Sequence, residues 1–469
     1  MKTKIPVLAL FLLAALLPAL STARKQDAEQ APDFSALGEV IKAEMTASKA
    51  PGAECVVLLG GKVAYRAAFG VRSVETGSPV APEDLFRLGS TTKMIVAAAC
   101  LEAEARGLVR LDAPIGEKAP ELHPALARLT LDQLLSHTSG LAEDAPMVGP
   151  LDETALAARV RAWDEKAFFA EPGRIMSYAN PGYVLAGYVL ERATGKPFAD
   201  AVSSLVLAPL GMVKSTFRPL QALTYPVALG HQAGPNGSAV VRPFAENAGN
   251  WPPGSLFTNI DEFARFLAAL LDDGRFEGRP VLRSGLTALM TAPRADVRPL
   301  GRSYGYGLVM LRERGLDVAM HSGARTGYGS VVYAIPEKKF AVAILTNSSG
   351  AIFFRSARKA AEIAFPGQTE EPAKPEPVRT TSAAELAAWA GAYVNGSLKV
   401  ELAASGDRLW VKAAGKTFPA ERIGERTFRA PGAGQLSRFV LVPGPDGAVA
   451  FLTAEYWALA RVRSPAQRP

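Results

Sequence analysis

The chain has 469 residues, of which 48% are hydrophobic, so it is long enough for two or three domains with sizeable cores and is not biased toward disorder. The 52 Lys and Arg residues exceed the 45 Asp and Glu residues, and the net charge of +7 is spread along the whole length. Because no basic stripe or aromatic-interleaved basic run is present, nucleic acid is not expected as a partner.

The first 23 residues have the pattern of a secretory signal peptide. A positive start at Lys2 and Lys4 precedes an apolar run from Val7 to Leu20, and small residues follow at Ser21 and Ala23. The run is short for a membrane span, which predicts cleavage after Ala23 and an exported protein, periplasmic or secreted. An uncleaved anchor is the alternative. No later segment resembles a transmembrane helix, so we expect no stable membrane span in the mature protein.

After this segment, Phe34 to Ala47 is predicted as an amphipathic helix. The stretch ECVVLLGGKVAYRAAFG then predicts two antiparallel strands, because Gly60 and Gly61 supply the positive φ angles of a tight hairpin turn. The helices predicted next are Thr91 to Arg106, Leu131 to Leu135, Leu151 to Phe168, Tyr183 to Thr194, Phe198 to Leu205 and Ile260 to Leu271. The last elements of this region are predicted strands at Tyr304 to Leu311, Ser330 to Ile335 and Phe340 to Thr346, and a helix from Ile352 to Ala364.

Strands at both ends with helices between them do not form repeated βαβ units. They predict an α+β fold in which an antiparallel sheet is closed by terminal strands, flanked by helices and joined to a helical subdomain. A cleft between the sheet and the helices is the expected substrate site. Residues 366–381, PGQTEEPAKPEPVRTT, are predicted as a Pro-rich linker. Residues 382–469 contain short strand-like runs between Gly and Pro turns, which predict a small all-β domain, either a barrel or a sandwich.

Two cysteines, Cys55 and Cys100, lie in apolar stretches. Such residues usually pack as small hydrophobic side chains, so we expect them to be unpaired, although spacing alone does not exclude a disulfide. Four His and two scattered Cys indicate no metal site. The glycines of RTGYGS and YGYG do not lie at a strand-to-helix turn, as nucleotide binding would require, and no cofactor is expected.

Ser90 and Lys93 lie in FRLGSTTKMIVAAACLEAEARG, whose apolar run predicts a buried helix. Residues three apart share one helix face. Burial and the helix N-terminus both favour the neutral amine of Lys93, which can take a proton, and the free N–H of Ser90 can face an oxyanion. The spacing alone is not specific, because Ser356 and Lys359 repeat it on an expected solvated surface. The structural alternative is Ser90 as a helix cap with a snorkelling Lys93.

Three further segments follow Ser90 in order: LLSHTSGL at 134–141, PGRIMSYANPGYVLAGYVLERATG at 172–195 and HSGARTGYG at 321–329. Together with GSTTK at 89–93 they resemble the serine β-lactamase superfamily, in the branch of class C β-lactamases, D-Ala-D-Ala carboxypeptidases and related esterases. This resemblance implies a β-lactamase/transpeptidase-like fold for residues 24–365 and Ser90 as the nucleophile of a two-step acyl transfer.

The resemblance also implies roles around the nucleophile. Tyr178 and Asn180 match the family's Tyr-x-Asn element. As a phenolate held near Lys93, Tyr178 would accept the Ser90 proton and later return it to the leaving group. Asn180 would hold Lys93 and donate to a substrate amide oxygen. Packing is the alternative, because Tyr393-Val394-Asn395 repeats the triplet.

The segment His321-Ser322-Gly323 matches the family's Lys-Thr-Gly element on the strand that lines the cleft, with histidine in place of lysine. The resemblance implies that these residues bind substrate, that Gly323 allows a substrate backbone to approach closely, and that the Ala324 N–H completes the oxyanion hole with that of Ser90. A surface histidine at a strand end is the alternative for His321. If Arg325 points into the cleft, it would bind a substrate carboxylate; a solvated loop arginine is the alternative.

These observations predict an exported serine hydrolase that works through a Ser90 acyl-enzyme. The expected substrate is a small molecule or a peptidoglycan-type compound: an ester, a β-lactam or a D-amino-acid amide. One alternative is a penicillin-recognising binding or sensor protein that acylates with little turnover. Another is a cell-wall-binding protein that acts through its C-terminal β domain.

Overall fold

The computed structural model describes residues 32–368 and 376–462. The predicted signal peptide, residues 1–23, lies outside the described residues, as does the middle of the predicted linker. Within the two described ranges, no helix has both the length and the apolar character needed to cross a membrane.

An antiparallel sheet of eight strands forms the platform of the described chain. Its strands are β1 (Gly52–Leu59), β2 (Lys62–Gly70), β3 (Ala295–Val297), β4 (Arg302–Tyr304), β5 (Val309–Glu313), β6 (Leu316–Arg325), β7 (Tyr328–Ile335) and β8 (Phe340–Thr346). Their order in space is β2-β1-β8-β7-β6-β5-β4-β3, so the first hairpin closes the sheet against its last strand. This arrangement confirms the predicted α+β fold with terminal strands side by side.

Helices cover both faces of this sheet and fill the region between β2 and β3. They are α1 (Leu37–Ser48), α2 (Thr92–Ala105), α3 (Pro124–Ala127), α4 (Leu131–Leu135), α5 (Thr154–Arg161), α6 (Asn180–Thr194), α7 (Phe198–Val202), α8 (Pro219–Ala222), α9 (Ile260–Leu271), α10 (Leu286–Thr291) and α11 (Phe354–Ala364). Almost every residue of α2 is buried, as its apolar sequence predicts. Short two-stranded ribbons pair Phe86–Arg87 with Phe257–Thr258, His231–Gly234 with Gly237–Val240, and Arg275–Phe276 with Arg279–Pro280.

Two predicted elements are interrupted in the structure. The helix expected from Leu151 to Phe168 ends at Arg161, because the Asp164 side chain accepts from Lys166 N and begins a separate 3₁₀ turn. The strand expected from Tyr304 to Leu311 divides into β4 and β5, because a tight turn closed by Gly305 N and Leu308 O interrupts it. Both interruptions come from local hydrogen bonds that apolar periodicity does not reveal.

The sheet separates two hydrophobic cores, and this separation explains the cysteines. Cys100 lies in the core on the helical side, whereas Cys55 lies in the opposite core beneath α1 and α11. Both cysteines are buried and unpaired, as expected. Burial raises the pKa of each thiol, so neither is a reactive thiolate near neutral pH.

The C-terminal strands form a closed barrel of eight strands, preceded by the helix α12 (Ala383–Trp389). The strands are β9 (Gly391–Asn395), β10 (Leu398–Ser405), β11 (Arg408–Ala413), β12 (Lys416–Arg422), β13 (Thr427–Arg429), β14 (Arg438–Pro443), β15 (Val449–Ala454) and β16 (Trp457–Arg461). Pairing of β9 with β16 closes the barrel and leaves no open sheet edge. Of the two predicted alternatives for this domain, the barrel is therefore the correct one.

Candidate active site

Ser90 lies in a 3₁₀ turn, Gly89–Thr91, that leads directly into α2. Strand β6 passes against this turn: a Cβ on Gly89, whose φ is 55°, would lie 2.7 Å from Ala324 N, and one on Gly323 would lie 2.9 Å from Ser90 N. Gly323 therefore makes room for the serine's own segment, which differs from the expected role of admitting a substrate backbone. The hydroxyl of Thr91 contacts that of Ser330 at 2.9 Å and ties the turn to β7.

The side chain of Lys93 is completely buried and lies between three oxygen atoms. Its Nζ is 3.2 Å from Ser90 Oγ, 2.8 Å from Asn180 Oδ1 and 2.8 Å from the carbonyl oxygen of Pro253. A neutral amine has two hydrogens and one lone pair. The two hydrogens can go to Asn180 and Pro253, because both atoms only accept, and the lone pair then points at the Ser90 hydroxyl.

The electrostatics of this centre favour Lys93 over Tyr178 as the proton acceptor. Burial lowers the pKa of Lys93 to about 7, an effect that the Glu143 carboxylate opposes. Burial also raises the pKa of the Tyr178 phenol, although its hydrogen bond with Ser90 acts in the other direction. Lys93 Nζ lies 4.7 Å from the centre of the Tyr178 ring. Near neutral pH, Tyr178 is therefore a protonated phenol beside an amine that is partly neutral.

Asn180 is the first residue of α6, and its amide connects Lys93 to a carboxylate that the motifs did not identify. Asn180 N donates to Glu143 Oε2 at 2.8 Å, and Asn180 Nδ2 donates to Glu143 Oε1 at 2.7 Å. Glu143 is two residues beyond the segment LLSHTSGL. Its position beside that segment was the one signal available in the sequence, because no spacing relates it to Asn180.

His321 lies at the same centre as a neutral, fully hydrogen-bonded side chain. Its Nδ1 is 2.7 Å from the carbonyl oxygen of Ser322, which only accepts, so Nδ1 carries the proton and Nε2 accepts from Tyr304 Oη at 2.9 Å. Burial, together with the charge of Lys93, lowers the pKa of His321 to about 3. His321 thus supplies polarity without a positive charge, unlike the lysine of the motif it resembles.

His137, from the segment LLSHTSGL, packs against the ring of Tyr178. The ring centres of His137 and Tyr178 are 4.3 Å apart, and Ala179 N donates to His137 Nδ1 at 3.1 Å. Burial lowers the pKa of His137 as well. The imidazole therefore acts as a neutral acceptor that positions the backbone after Tyr178.

A cavity of about 620 Å³ opens from Ser90. Residues of the sheet side that line it include Tyr178, Arg302, His321, Ser322 and Ala324. The opposite wall comes from the barrel, where the turn between β15 and β16 contributes Glu455, Tyr456 and Trp457. Tyr456 O accepts from Tyr178 N at 2.7 Å, and Tyr456 Oη accepts from Arg302 at 3.0 Å. The barrel therefore forms part of the cleft, which its sequence did not suggest.

Arg325 is not among the residues that line this cavity. Its side chain is only 2% exposed and is buried beside Glu246. Its Nη2 lies 3.6 Å from Glu246 Oε1, and Arg87 lies 2.8 Å from the same carboxylate. This placement corrects the expectation that Arg325 binds a substrate carboxylate. Two other arginines line the cavity: Arg302, which contacts Tyr456, and Arg358, which pairs with Glu313.

The second copies of the Ser-x-x-Lys and Tyr-x-Asn motifs lie in surroundings different from those of the copies at Ser90 and Tyr178. Ser356 is buried against α1, where its Oγ donates to Glu44 Oε2 at 2.6 Å, whereas Lys359 pairs with Glu362 at 3.3 Å. The second Ser-x-x-Lys pair is thus one buried and one partly exposed residue, a correction to the expected solvated surface. Asn395, from the repeated Tyr-x-Asn triplet, is buried at the junction between the barrel and the cleft.

Comparison with known proteins agrees with this geometry. A family model described as Beta-lactamase matches residues 37–365, so the chain belongs to the beta-lactamase family. It is 28% identical to Penicillin-binding protein 4 of Amycolatopsis lactamdurans over 362 residues, which are 73% of this chain and 93% of that protein. It is 40% identical to Esterase EstB of Burkholderia gladioli over 179 residues, 34% of this chain and 45% of that protein.

Among solved structures, the chain is similar to SurE, with a TM-score of 0.75 and 26% sequence identity. The match covers 91% of this chain and 98% of that chain, so it extends beyond the family match into the barrel. A second structure of the same protein, described as SurE with D-Leu, matches with a TM-score of 0.74.

Proposed function

We propose that this chain is a serine hydrolase that works through an acyl-enzyme on Ser90. The observation that carries the proposal is the placement of Lys93 Nζ, held by two carbonyl oxygens at 2.8 Å with its remaining position 3.2 Å from Ser90 Oγ. A buried amine in that position is a general base for a serine hydroxyl.

The proposed reaction begins when the lone pair of Lys93 takes the Ser90 proton and the serine oxygen bonds to the substrate carbonyl carbon. Negative charge moves to the carbonyl oxygen, which the N–H groups of Ser90 and Ala324 stabilise. The intermediate collapses as the bond to the leaving group breaks, and the leaving group receives the proton from Lys93 through the Tyr178 hydroxyl. Water then attacks the acyl-enzyme by the same steps and regenerates Ser90.

The proposed substrates are esters, β-lactams or D-amino-acid amides. The similarity to an esterase supports the first class, the similarity to a penicillin-binding protein supports the second, and the structure of SurE with D-Leu supports the third. Arg302 lines the cavity and can bind a carboxylate of such a substrate through two N–H groups. The family position and the predicted signal peptide are consistent with an exported enzyme.

The test is to incubate the mature protein with a fluorophosphonate, a labelled penicillin, nitrophenyl esters and D-Ala-D-Ala peptides, followed by peptide mapping of any adduct. Ser90→Ala is expected to abolish labelling and turnover. Ser356→Ala, which removes the serine of the second Ser-x-x-Lys copy, is the matched control and is expected to retain both. An adduct at another residue, or full turnover by Ser90→Ala, would exclude the proposed mechanism.

Release kinetics distinguish the enzyme from its main alternative. If the penicillin adduct persists while nitrophenyl esters turn over, the protein is an esterase that β-lactams inhibit. If every adduct persists, the acylating sensor is the correct assignment.

A further inference from the structure

Glu143 lies outside the family motifs, yet its carboxylate controls the amide next to Lys93. Its two oxygens accept from Asn180 N at 2.8 Å and from Asn180 Nδ2 at 2.7 Å. A carboxylate only accepts hydrogen bonds, so Nδ2 must face Glu143 and Oδ1 must face Lys93, 2.8 Å away. Glu143 therefore decides which end of the Asn180 amide meets the lysine.

The orientation of that amide has a direct chemical consequence. With Oδ1 toward Lys93, one hydrogen of the neutral amine is used and the lone pair remains available to Ser90. With the amide reversed, Nδ2 would donate to the lone pair, and Lys93 would no longer be able to accept the serine proton. A residue that prevents the reversal keeps Lys93 competent as a base.

Glu143 is in turn held by the barrel. Asn395, the last residue of β9, accepts from Glu143 N at 3.2 Å through Oδ1, and its Nδ2 donates to the carbonyl oxygen of Ala458 in β16 at 2.7 Å. Asn395 Nδ2 also lies 3.1 Å from Ser177 Oγ, which accepts from Ala458 N at 3.0 Å. Since Asn395 is buried, these hydrogen bonds connect the closure of the barrel to Glu143 and to Ser177, the residue before Tyr178.

We propose, on the basis of the serine-hydrolase function above, that Glu143 is a positioning residue for proton transfer from Ser90 and that the barrel holds it in place through Asn395. The barrel is then part of the reaction apparatus, because it fixes the position of Glu143 as well as one wall of the cleft. A separate binding module would need no such connection to the amide that contacts Lys93.

The charge of Glu143 supplies a readout that a merely structural role would not move. Titratable groups that act on Lys93 or Glu143 are His137, His321, Asp144, Arg159 and Tyr178. Both histidines are neutral, because burial lowers their pKa values. Glu143 raises the pKa of Lys93, so removing its charge lowers that pKa further. The neutral amine then forms at lower pH, so the acid limb of the pH–rate profile for acylation moves to lower pH.

The experiment measures the rate of Ser90 acylation by a fluorophosphonate against pH. Glu143→Gln is expected to lower the plateau rate roughly 10- to 100-fold and to move the acid limb down by about one pH unit. Glu143→Asp keeps the charge and is expected to restore the position of the limb and part of the rate. Glu401→Gln, which removes an exposed carboxylate from the barrel, is expected to change neither.

The barrel connection is tested by Asn395→Ala, which is expected to lower the plateau rate about tenfold with the limb unmoved, because Glu143 keeps its charge. Asn347→Ala is the matched control. Asn347 is also buried, and its amide hydrogen-bonds to Gly52 N, Val71 O and Arg72 O, outside the cleft. We expect a similar loss of thermal stability from both variants but an unchanged acylation rate in Asn347→Ala.

The proposal is overturned if Glu143→Gln keeps the wild-type rate and limb, or if Asn395→Ala and Asn347→Ala affect acylation equally. Failure of the proposed function would look different: wild-type protein would carry no fluorophosphonate adduct at Ser90. Thermal unfolding of each variant shows that the comparison is made on folded protein.

Discussion

Lys93→Met tests the electrostatic basis of the site through its effect on stability. The buried lysine has a pKa of about 7 in the folded chain and 10.5 as the reference value for an unperturbed lysine. Between these two pH values the unfolded chain binds one more proton than the folded chain, so the stability of the wild type increases with pH. Methionine has a similar shape and no charge, and therefore lacks this dependence.

The magnitude follows from the two pKa values. One pH unit in that interval is worth about 1.4 kcal/mol per proton, so from pH 6 to pH 9 the wild type gains roughly 2 to 3 kcal/mol relative to Lys93→Met. The sign is that of a depressed lysine: burial destabilises the fold most below pH 7, and this penalty disappears above pH 10.5. Groups that do not interact with Lys93 titrate equally in both proteins and cancel in the difference.

The assay is urea unfolding of both proteins at several pH values between 6 and 9, monitored by tryptophan fluorescence. The free energy of unfolding of the variant, minus that of the wild type, is expected to decrease steadily as the pH rises. Parallel curves over this range would show that Lys93 keeps an ordinary pKa in the folded protein. That result would refute the assignment of Lys93 as a neutral base.

Three further predictions use other parts of the site. The rate of Ser90 acylation in the wild type should fall tenfold for each pH unit below about pH 7, because the neutral fraction of Lys93 falls in that proportion. Stopped-flow labelling at different pH values checks this, and a pH–rate profile whose acid limb is centred below pH 5 would contradict it. Arg302→Gln should raise the KM of a carboxylate-bearing ester about tenfold and leave the KM of a neutral ester unchanged. Arg325→Gln should leave the ratio of these two KM values unchanged, and steady-state kinetics with matched esters measure both effects. An aromatic disulfide reagent should modify neither cysteine in the native protein and both after unfolding, and rapid native modification would disprove their burial in separate cores.

The local sequence pattern was sufficient to predict the first hairpin and the helix that follows Ser90. The positive φ angles of Gly60 and Gly61 make the first hairpin, and the apolar run after Ser90 makes a buried helix, because in both cases the decisive interactions join residues close in the chain. The one-turn spacing of Ser90 and Lys93 then places a hydroxyl near an amine without any tertiary information.

The identity of the base and its support were decided only by tertiary structure. Ser356 and Lys359 have the same spacing, and the two pairs differ in the lysine: Lys93 is buried among atoms supplied by distant segments, whereas Lys359 is partly exposed and pairs with Glu362 on its own helix. Those atoms include the Pro253 carbonyl oxygen and the Asn180 amide. Neither residue lies at a regular sequence spacing from Lys93 that would predict the contact.

The same reason explains the two largest departures from expectation. The burial of Arg325 depends on distant segments of the chain, which bring Glu246 and Arg87 close to it. The use of Asn395 depends on closure of the barrel, which brings β9 beside β16 and both beside the cleft. The sequence by itself determined the local elements and the order of the motifs, whereas contacts between residues far apart in the chain decided which side chains meet at Ser90, because such contacts exist only after the sheet and barrel have closed.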